Sequence, residues 1–317
     1  MGSLLLINIL VGVAAADSRY LVGSGGCDVS AVACSPPASP LGQQVVALDG
    51  GHVTSNTSTP GSPSWLHMAG SCVFAAVTDT DQVASFKLGA DGALTPASVL
   101  PSAGRNPVKL DTAGPILLAA NYGGTGGASV ASFMFDEVSC SLRAGTSVPF
   151  NRSSIDPKRQ ATSHVHTVVV DAAASTATTV NLLAADLGGD AIYTLQVAFG
   201  GGDLRLLHTA STKPGSGPRH IAIHPSKRVA YCVHEMSNEL SVHRIGSDGA
   251  LKLIQTVSTL PNVTVPSCVG LQLDVQPTVC SKAAEIVATP DGVRRRQPNP
   301  ARPYSQDGIL IAAQASP

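Results

Sequence analysis

Three short segments hold most of the side chains able to do chemistry. His164-Val-His166 sets two imidazoles two residues apart. Arg219-His220 joins a guanidinium to an imidazole, and Glu235 follows in the same stretch. Lys158-Arg159-Gln160 stands shortly before the His-x-His. Imidazole, guanidinium and carboxylate together can hold an anion, stabilise an oxyanion and move a proton. We therefore take His164, His166, Arg219 and Glu235 as candidate catalytic residues. Lys158, Arg159, Gln160 and His220 are candidate substrate contacts. Plainer readings stand beside these. One histidine of the pair can simply bond to backbone, and Glu235 can simply pair with Arg219. Two histidines at this spacing also suit a metal, but no third ligand and no C-x-x-C pattern accompanies them. No metal and no cofactor is expected. Gly-x-Ser-x-Gly is absent, so direct attack by water is expected rather than an acyl-enzyme.

These residues need a scaffold that brings distant segments together. The stretch around Arg219 reads as a Gly/Pro break, an alternating strand from His220 to His224, a turn at Pro225-Ser226-Lys227, an apolar strand from Val229 to Val233, and a third strand from Leu240 to Ile245. The same order of parts recurs at Pro63–Leu88, Pro107–Phe133 and His164–Leu195, and in part at Ala283–Gly292. Asp91-Gly92 and Asp248-Gly249 each precede Ala-Leu, and Gly201-Gly202-Asp203 holds the same place. Asp-Gly between strands signals a hairpin turn. Each unit is thus four antiparallel strands. Polar residues closing the second strand, read as Asp79, Asn121, Asp186 and Glu235, give steps of 42, 65 and 49 residues (121−79, 186−121 and 235−186). Units of this length with four strands are the mark of an all-β propeller. The long step is read as carrying an insert from Ser139 to Ser163, and Ser55 to Ser62 as a loop. Starts near residues 19, 63, 107, 164, 218 and 283 give about six recognisable units. After Gly292 the pattern breaks, so the propeller is expected to be incomplete at its C-terminus.

Composition narrows the field. Of 317 residues, 44% are hydrophobic and 13% charged, too apolar for a disordered chain. A net charge of −1 leaves no footprint for nucleic acid. The apolar run near Met1 is too short for a membrane span. Ala14-x-Ala16 resembles a signal-peptidase site, so residues 1–16 are a candidate leader and 17–317 a single domain, with 292–317 atypical. The other reading of the run is a first strand. Sequons begin at Asn56, Asn151 and Asn262. The protein is secreted if the leader is real and cytoplasmic otherwise. Of seven cysteines, Cys27 with Cys34 and Cys268 with Cys280 are candidate loop disulfides. Cys72 and Cys232 read as plain core residues.

Gly217-Pro-Arg-His220, then His-Pro-x-x-Arg-x-Ala-Tyr and Val-x-Glu235, resembles the lactonase family of seven-bladed propellers. That family includes propeller-type 6-phosphogluconolactonases and carboxy-cis,cis-muconate cyclases. Ala119-Ala-Asn-Tyr122, Arg159-Gln160 before His164-Val-His166, Ala185-Asp-Leu-Gly-Gly-Asp190 and Ala283-Ala-Glu-Ile286 fit in the same order. The resemblance implies an active site in the channel mouth with one histidine of the pair, Arg219, Glu235 and a late arginine. His164 is preferred because it opens its strand. The late Ser-Asn-Arg is absent, and Arg302 is the nearest substitute. The implied function is hydrolysis of an anionic sugar-acid lactone by a monomer, with a histidine or Glu235 as base. A muconate-type cyclase and a secreted binding propeller without catalysis are the alternatives.

Overall fold

A computed structural model describes residues 10–12, 19–25, 43–49, 52–260, 280–288, 305–306 and 309–316. Six antiparallel sheets follow one another along the chain. The first holds β1 (Leu10–Gly12), β2 (Arg19–Gly25), β3 (Gln43–Asp49) and β4 (His52–Ser58). The second holds β5 (Pro63–Ala69), β6 (Cys72–Val77), β7 (Gln82–Leu88) and β8 (Leu94–Pro101). The third holds β9 (Pro107–Ala113), β10 (Ile116–Asn121), β11 (Ser129–Phe135) and β12 (Leu142–Pro149). The fourth holds β13 (Val165–Ser175), β14 (Thr179–Asp186), β15 (Ala191–Ala198) and β16 (Leu204–Ser211). The fifth holds β17 (Pro218–Ile223), β18 (Val229–His234), β19 (Glu239–Ile245) and β20 (Leu251–Ser258). The sixth is built from β21 (Cys280–Ala288), β22 (Ser305–Gln306) and β23 (Ile309–Ser316).

Each of the first five sheets is a simple meander, with strands in chain order. The first strands β5, β9, β13, β17 and β21 pack side by side, and so do the fourth strands β4, β8, β12, β16 and β20. The sheets are therefore blades set around an axis. Trp65 of β5 and His220 of β17 sit three blades apart, yet their rings lie 6.0 Å from each other across the centre. The inner strands thus surround a narrow channel.

Hydropathy explains the layering. Second strands are apolar along most of their length and almost wholly buried, as in β6 and β10. Fourth strands alternate toward solvent, as in β8 and β12. The core is a series of seams between blades. One seam holds Cys72, Phe74, Leu117 and Phe133, and full burial of such side chains contributes roughly 1.5–3 kcal/mol each. Gly92 and Gly249 take φ of 82° and 90° in matching hairpins, where a β-carbon would be strained. The aspartate before each caps the turn, accepting from Ala93 N and Ala250 N.

Several expectations need correction. Residues 55–58 are not loop. They belong to β4, an outer strand that is polar because it is half solvated. The long step between the third and fourth blades is not one insert either. Leu142–Pro149 is the ordinary outer strand β12, which leaves an insert only from about 150 to 164. Cys72 is not a plain core cysteine but is disulfide-bonded to Cys140, tying the second blade to the third. Cys232 is free and buried. Cys27, Cys34 and Cys268 lie outside the described residues, as does Asn262. In the sixth blade β23 pairs directly with β21, so the apolar run after the break supplies the second strand and β22 the third. Leu10–Gly12, within the leader-like run, pairs with Tyr20–Val22 as a strand of the first blade.

Candidate active site

The inner strands share a bulge, and it decides which side chains line up. Pro63, Val165 and Pro218 pair with Val77, Asp186 and His234, and Pro107 with Asn121. In each case the next residue, Ser64, His166, Arg219 or Val108, is skipped in the register. A bulge re-aims one side chain and recurs next to active sites. His166, not His164, therefore holds the same place as Arg219. By the same register His234 matches Asn121 and Asp186, while Glu235 lies one residue beyond its strand, level with Tyr122.

That offset separates residues that bond close to their own blade from one that reaches further. Asn121 donates to Ser102 O and Ser129 Oγ at 2.9 Å. Asp186 accepts from His164 N, Gly189 N, Ser163 Oγ and Tyr193 Oη. His234 bonds Ser216 and Ser241. All three tie a blade to its own loops. Glu235 instead reaches across segments. Its Oε1 accepts from Arg159 Nη2 at 2.7 Å and its Oε2 from Arg219 Nε at 2.9 Å. Arg219 Nη1 donates to Ala284 O. Among the described residues Nη2 of Arg219 is the edge left for a ligand.

Arg159 is delivered by the insert. Asp156 Oδ1 accepts from the amides of Lys158 and Arg159 and closes a tight turn after the Asp-Pro step. Burial alone would lower the Arg159 pKa, but Glu235 and the Tyr122 hydroxyl raise it above the usual range. The guanidinium is a fixed charge at the mouth.

His166 faces Tyr122 edge-on at 5.5 Å and His220 at 5.1 Å between ring centres. Its Nδ1 is buried and has no protein partner. Burial first, then the charges of Arg219 and His220, hold its pKa well below the ordinary value. It is a neutral imidazole at pH 7, competent to take a proton. His220 Nδ1 lies 2.7 Å from Glu285 Oε1. Burial is the main reason its pKa falls to about 4. Burial would raise the Glu285 carboxyl, but the bond to His220 and the charge of Lys109 bring it to about 2. Lys109 sits with Nζ 3.8 Å from the centre of the Trp65 ring.

The remaining sequence candidates fall elsewhere. His164 is buried, stacked on Tyr122 at 4.3 Å, with Nδ1 3.1 Å from Tyr122 O. Because a carbonyl only accepts, Nδ1 carries the proton, and the ring props up Tyr122. Gln160 is fully buried and donates to Leu187 O, holding the insert down. Lys158 is exposed. Arg302 lies outside the described residues. Among the described residues no group of three or more His, Cys, Asp or Glu is arranged for a metal ion, and no helix is long and apolar enough to cross a membrane. Sequence reasoning missed Tyr122, Lys109 and Glu285. Aligning the units on Pro107 and Pro218, instead of on their polar exits, puts Lys109 level with His220, two residues after each proline; Glu285 and Tyr122 are placed only by the strand pairing.

Comparison with known proteins agrees with the propeller architecture. A family model described as "Lactonase, 7-bladed beta-propeller" matches residues 44–294. The 6-phosphogluconolactonase of Formosa agariphila is 29% identical over 181 residues, 55% of this chain and 48% of that one. The 6-phosphogluconolactonase of Yersinia enterocolitica is 38% identical over 64 residues, 20% of this chain and 19% of that one. The matches thus span less than half the length of either relative. The periplasmic gluconolactonase PpgL of Pseudomonas aeruginosa superposes with a TM-score of 0.66 at 24% identity, over 86% of this chain and 73% of that one, a likeness of fold. The bulged inner strands, the Gly-Pro-Arg-His segment and the family match agree: this chain belongs to the lactonase family of seven-bladed β-propellers.

Proposed function

We propose that the protein hydrolyses a sugar-acid lactone at the channel mouth. The observation that carries this reading is the meeting of His166, Arg219, Glu235 and Arg159, from four separate segments, at one end of the inner strands. His166 takes the proton of the attacking water. The free edge of Arg219 donates to the developing oxyanion, a role worth about 3–4 kcal/mol of transition-state stabilisation for one donor. Glu235 binds two guanidiniums and is thereby occupied as an acceptor, so it orients the arginines rather than serving as base. Collapse of the tetrahedral intermediate expels the ring oxygen, which takes the proton back from His166 and leaves as the hydroxyl of the open acid. The 6-phosphogluconolactonase relatives support this reaction class. The Cys72–Cys140 bridge supports a site of action in an oxidising compartment. The test is turnover of glucono-δ-lactone and 6-phosphoglucono-δ-lactone above the uncatalysed rate, with Arg219→Ala as control. Equal rates for the two proteins and for buffer would end the reading.

A further inference from the structure

The hydrogen-bond pattern of His166 and His220 is unfinished. His166 is partly buried, and its Nδ1 is sealed from solvent without a protein partner. The nitrogen able to meet an attacking water is therefore Nε2. Burial, chiefly, keeps both imidazoles neutral at pH 7. A neutral ring that accepts at Nε2 must carry its hydrogen on Nδ1. A buried N–H in turn needs an acceptor. Arg219 and Lys109, the cations that also face these rings, can only donate.

His220 can supply the acceptor. Its ring centre lies 5.1 Å from that of His166. A hydrogen bond of about 2.9 Å between two ring nitrogens sets the ring centres about 5 Å apart. His220 is 4% exposed, and its Nε2 is buried without a protein partner. Its Nδ1 lies 2.7 Å from Glu285 Oε1, on the first strand of the sixth blade. A carboxylate only accepts, so the hydrogen of His220 belongs on Nδ1 and the lone pair on Nε2. A donor lacking an acceptor on one ring thus neighbours an acceptor lacking a donor on the next. The separations suit two bonds, although neither is aligned as one in the free chain. Catalytic hydrogen bonds often tighten only when substrate closes the site.

We propose that Glu285 and His220 are positioning residues for His166. Glu285 accepts from His220 Nδ1, His220 Nε2 accepts from His166 Nδ1, and His166 Nε2 is left as the base. This rests on the lactonase reading, in which His166 takes the proton of water. The chain fixes a tautomer and steadies the imidazolium that forms, as the carboxylate of a catalytic triad does. No proton moves along it. The one taken from water stays on His166 Nε2 until the departing ring oxygen receives it.

The experiment has two arms. Steady-state hydrolysis of glucono-δ-lactone is compared for the wild type, H220F, H220Q and E285A. Long-range proton–nitrogen spectra of protein labelled with 15N-histidine, assigned with H166N, report which ring nitrogen of His166 carries hydrogen. H220F and E285A should lower kcat at least about tenfold with KM within about twofold. H220Q, whose amide oxygen stands in for Nε2, should recover most of the loss. The wild-type spectrum should show His166 protonated at Nδ1, moving toward Nε2 in H220F and E285A. A wild-type His166 protonated at Nε2, or a tautomer unchanged in both variants, overturns the proposal. So does an undiminished kcat in both. If the wild type turns over no lactone, the hydrolase reading falls, and the spectra alone decide the positioning chain.

Discussion

Acid stability can be worked out from one buried chain in the fifth blade. Ser216 Oγ donates to Asp190 Oδ1, so it accepts from His234 Nδ1 at 3.0 Å. His234 Nε2 then carries the lone pair and accepts from Ser241 Oγ at 2.7 Å. That leaves Ser241 to accept from His243 Nε2 at 2.9 Å. Every hydrogen is spoken for with both imidazoles neutral. A proton added to His234 Nε2 would point an N–H at a hydroxyl already accepting from His243. Burial, chiefly, holds His234 at a pKa of about 4, and burial does the same for His243. The unfolded value is about 6.5. A folded pKa below the unfolded one means that the unfolded chain binds more protons between these values. Stability from neutral burial is therefore complete above pH 6.5 and is lost as pH falls toward 4. Between pH 7 and pH 5 His234 alone accounts for roughly 2 kcal/mol. His243 adds up to as much again, less the repulsion between two charges flanking Ser241. The perturbation is His234→Asn, the residue that the third blade carries at the same register as Asn121. Urea unfolding at pH 7 and pH 5 measures it. The wild type should lose about 2 kcal/mol more than the variant on acidification. An equal loss in both would refute the network as drawn.

Glu235→Gln should lower kcat/KM by about 10- to 100-fold, because a buried charge-assisted bond to Arg219 is lost. A thermal melt within a few degrees of wild type would separate that from misfolding. The acid limb of kcat/KM should lie well below pH 6.5, since burial and the charges of Arg219 and His220 keep His166 neutral; a limb at 6.5 or above would exclude His166 as base. Cys72→Ser should destabilise by about 4 kcal/mol, from a closed loop with a sequence separation of 68. The same variant should abolish a mobility difference between reduced and non-reduced gels.

Much of the blade pattern was legible because turn chemistry and hydropathy repeat with it. Asp91-Gly92 and Asp248-Gly249 marked the same hairpin, and the apolar runs at Cys72–Val77 and Ile116–Asn121 marked the same buried strand. What the sequence hid were departures from strict alternation. A bulge is invisible in a period-two reading, so His164 stood where His166 belongs and Glu235 was aligned one residue out of register. The polarity of Ser55–Ser58 reads as a loop because an outer strand need bury only half its surface. Lys109 and Glu285 have no motif of their own. Their place is set by neighbouring blades in space, as is the bond between Cys72 and Cys140, whose partners are far apart in the chain. Gln160 looked like a substrate contact only because it adjoins Arg159, and its full burial against Leu187 shows a structural task.

The most direct test of the site is steady-state hydrolysis of glucono-δ-lactone and 6-phosphoglucono-δ-lactone by the wild type, His166→Ala, His164→Ala and Arg219→Ala, followed by pH-stat. The account predicts losses of about 100-fold or more for His166→Ala and Arg219→Ala, with His164→Ala falling far less. A wild-type level of turnover in His166→Ala, or a larger loss in His164→Ala, would contradict it.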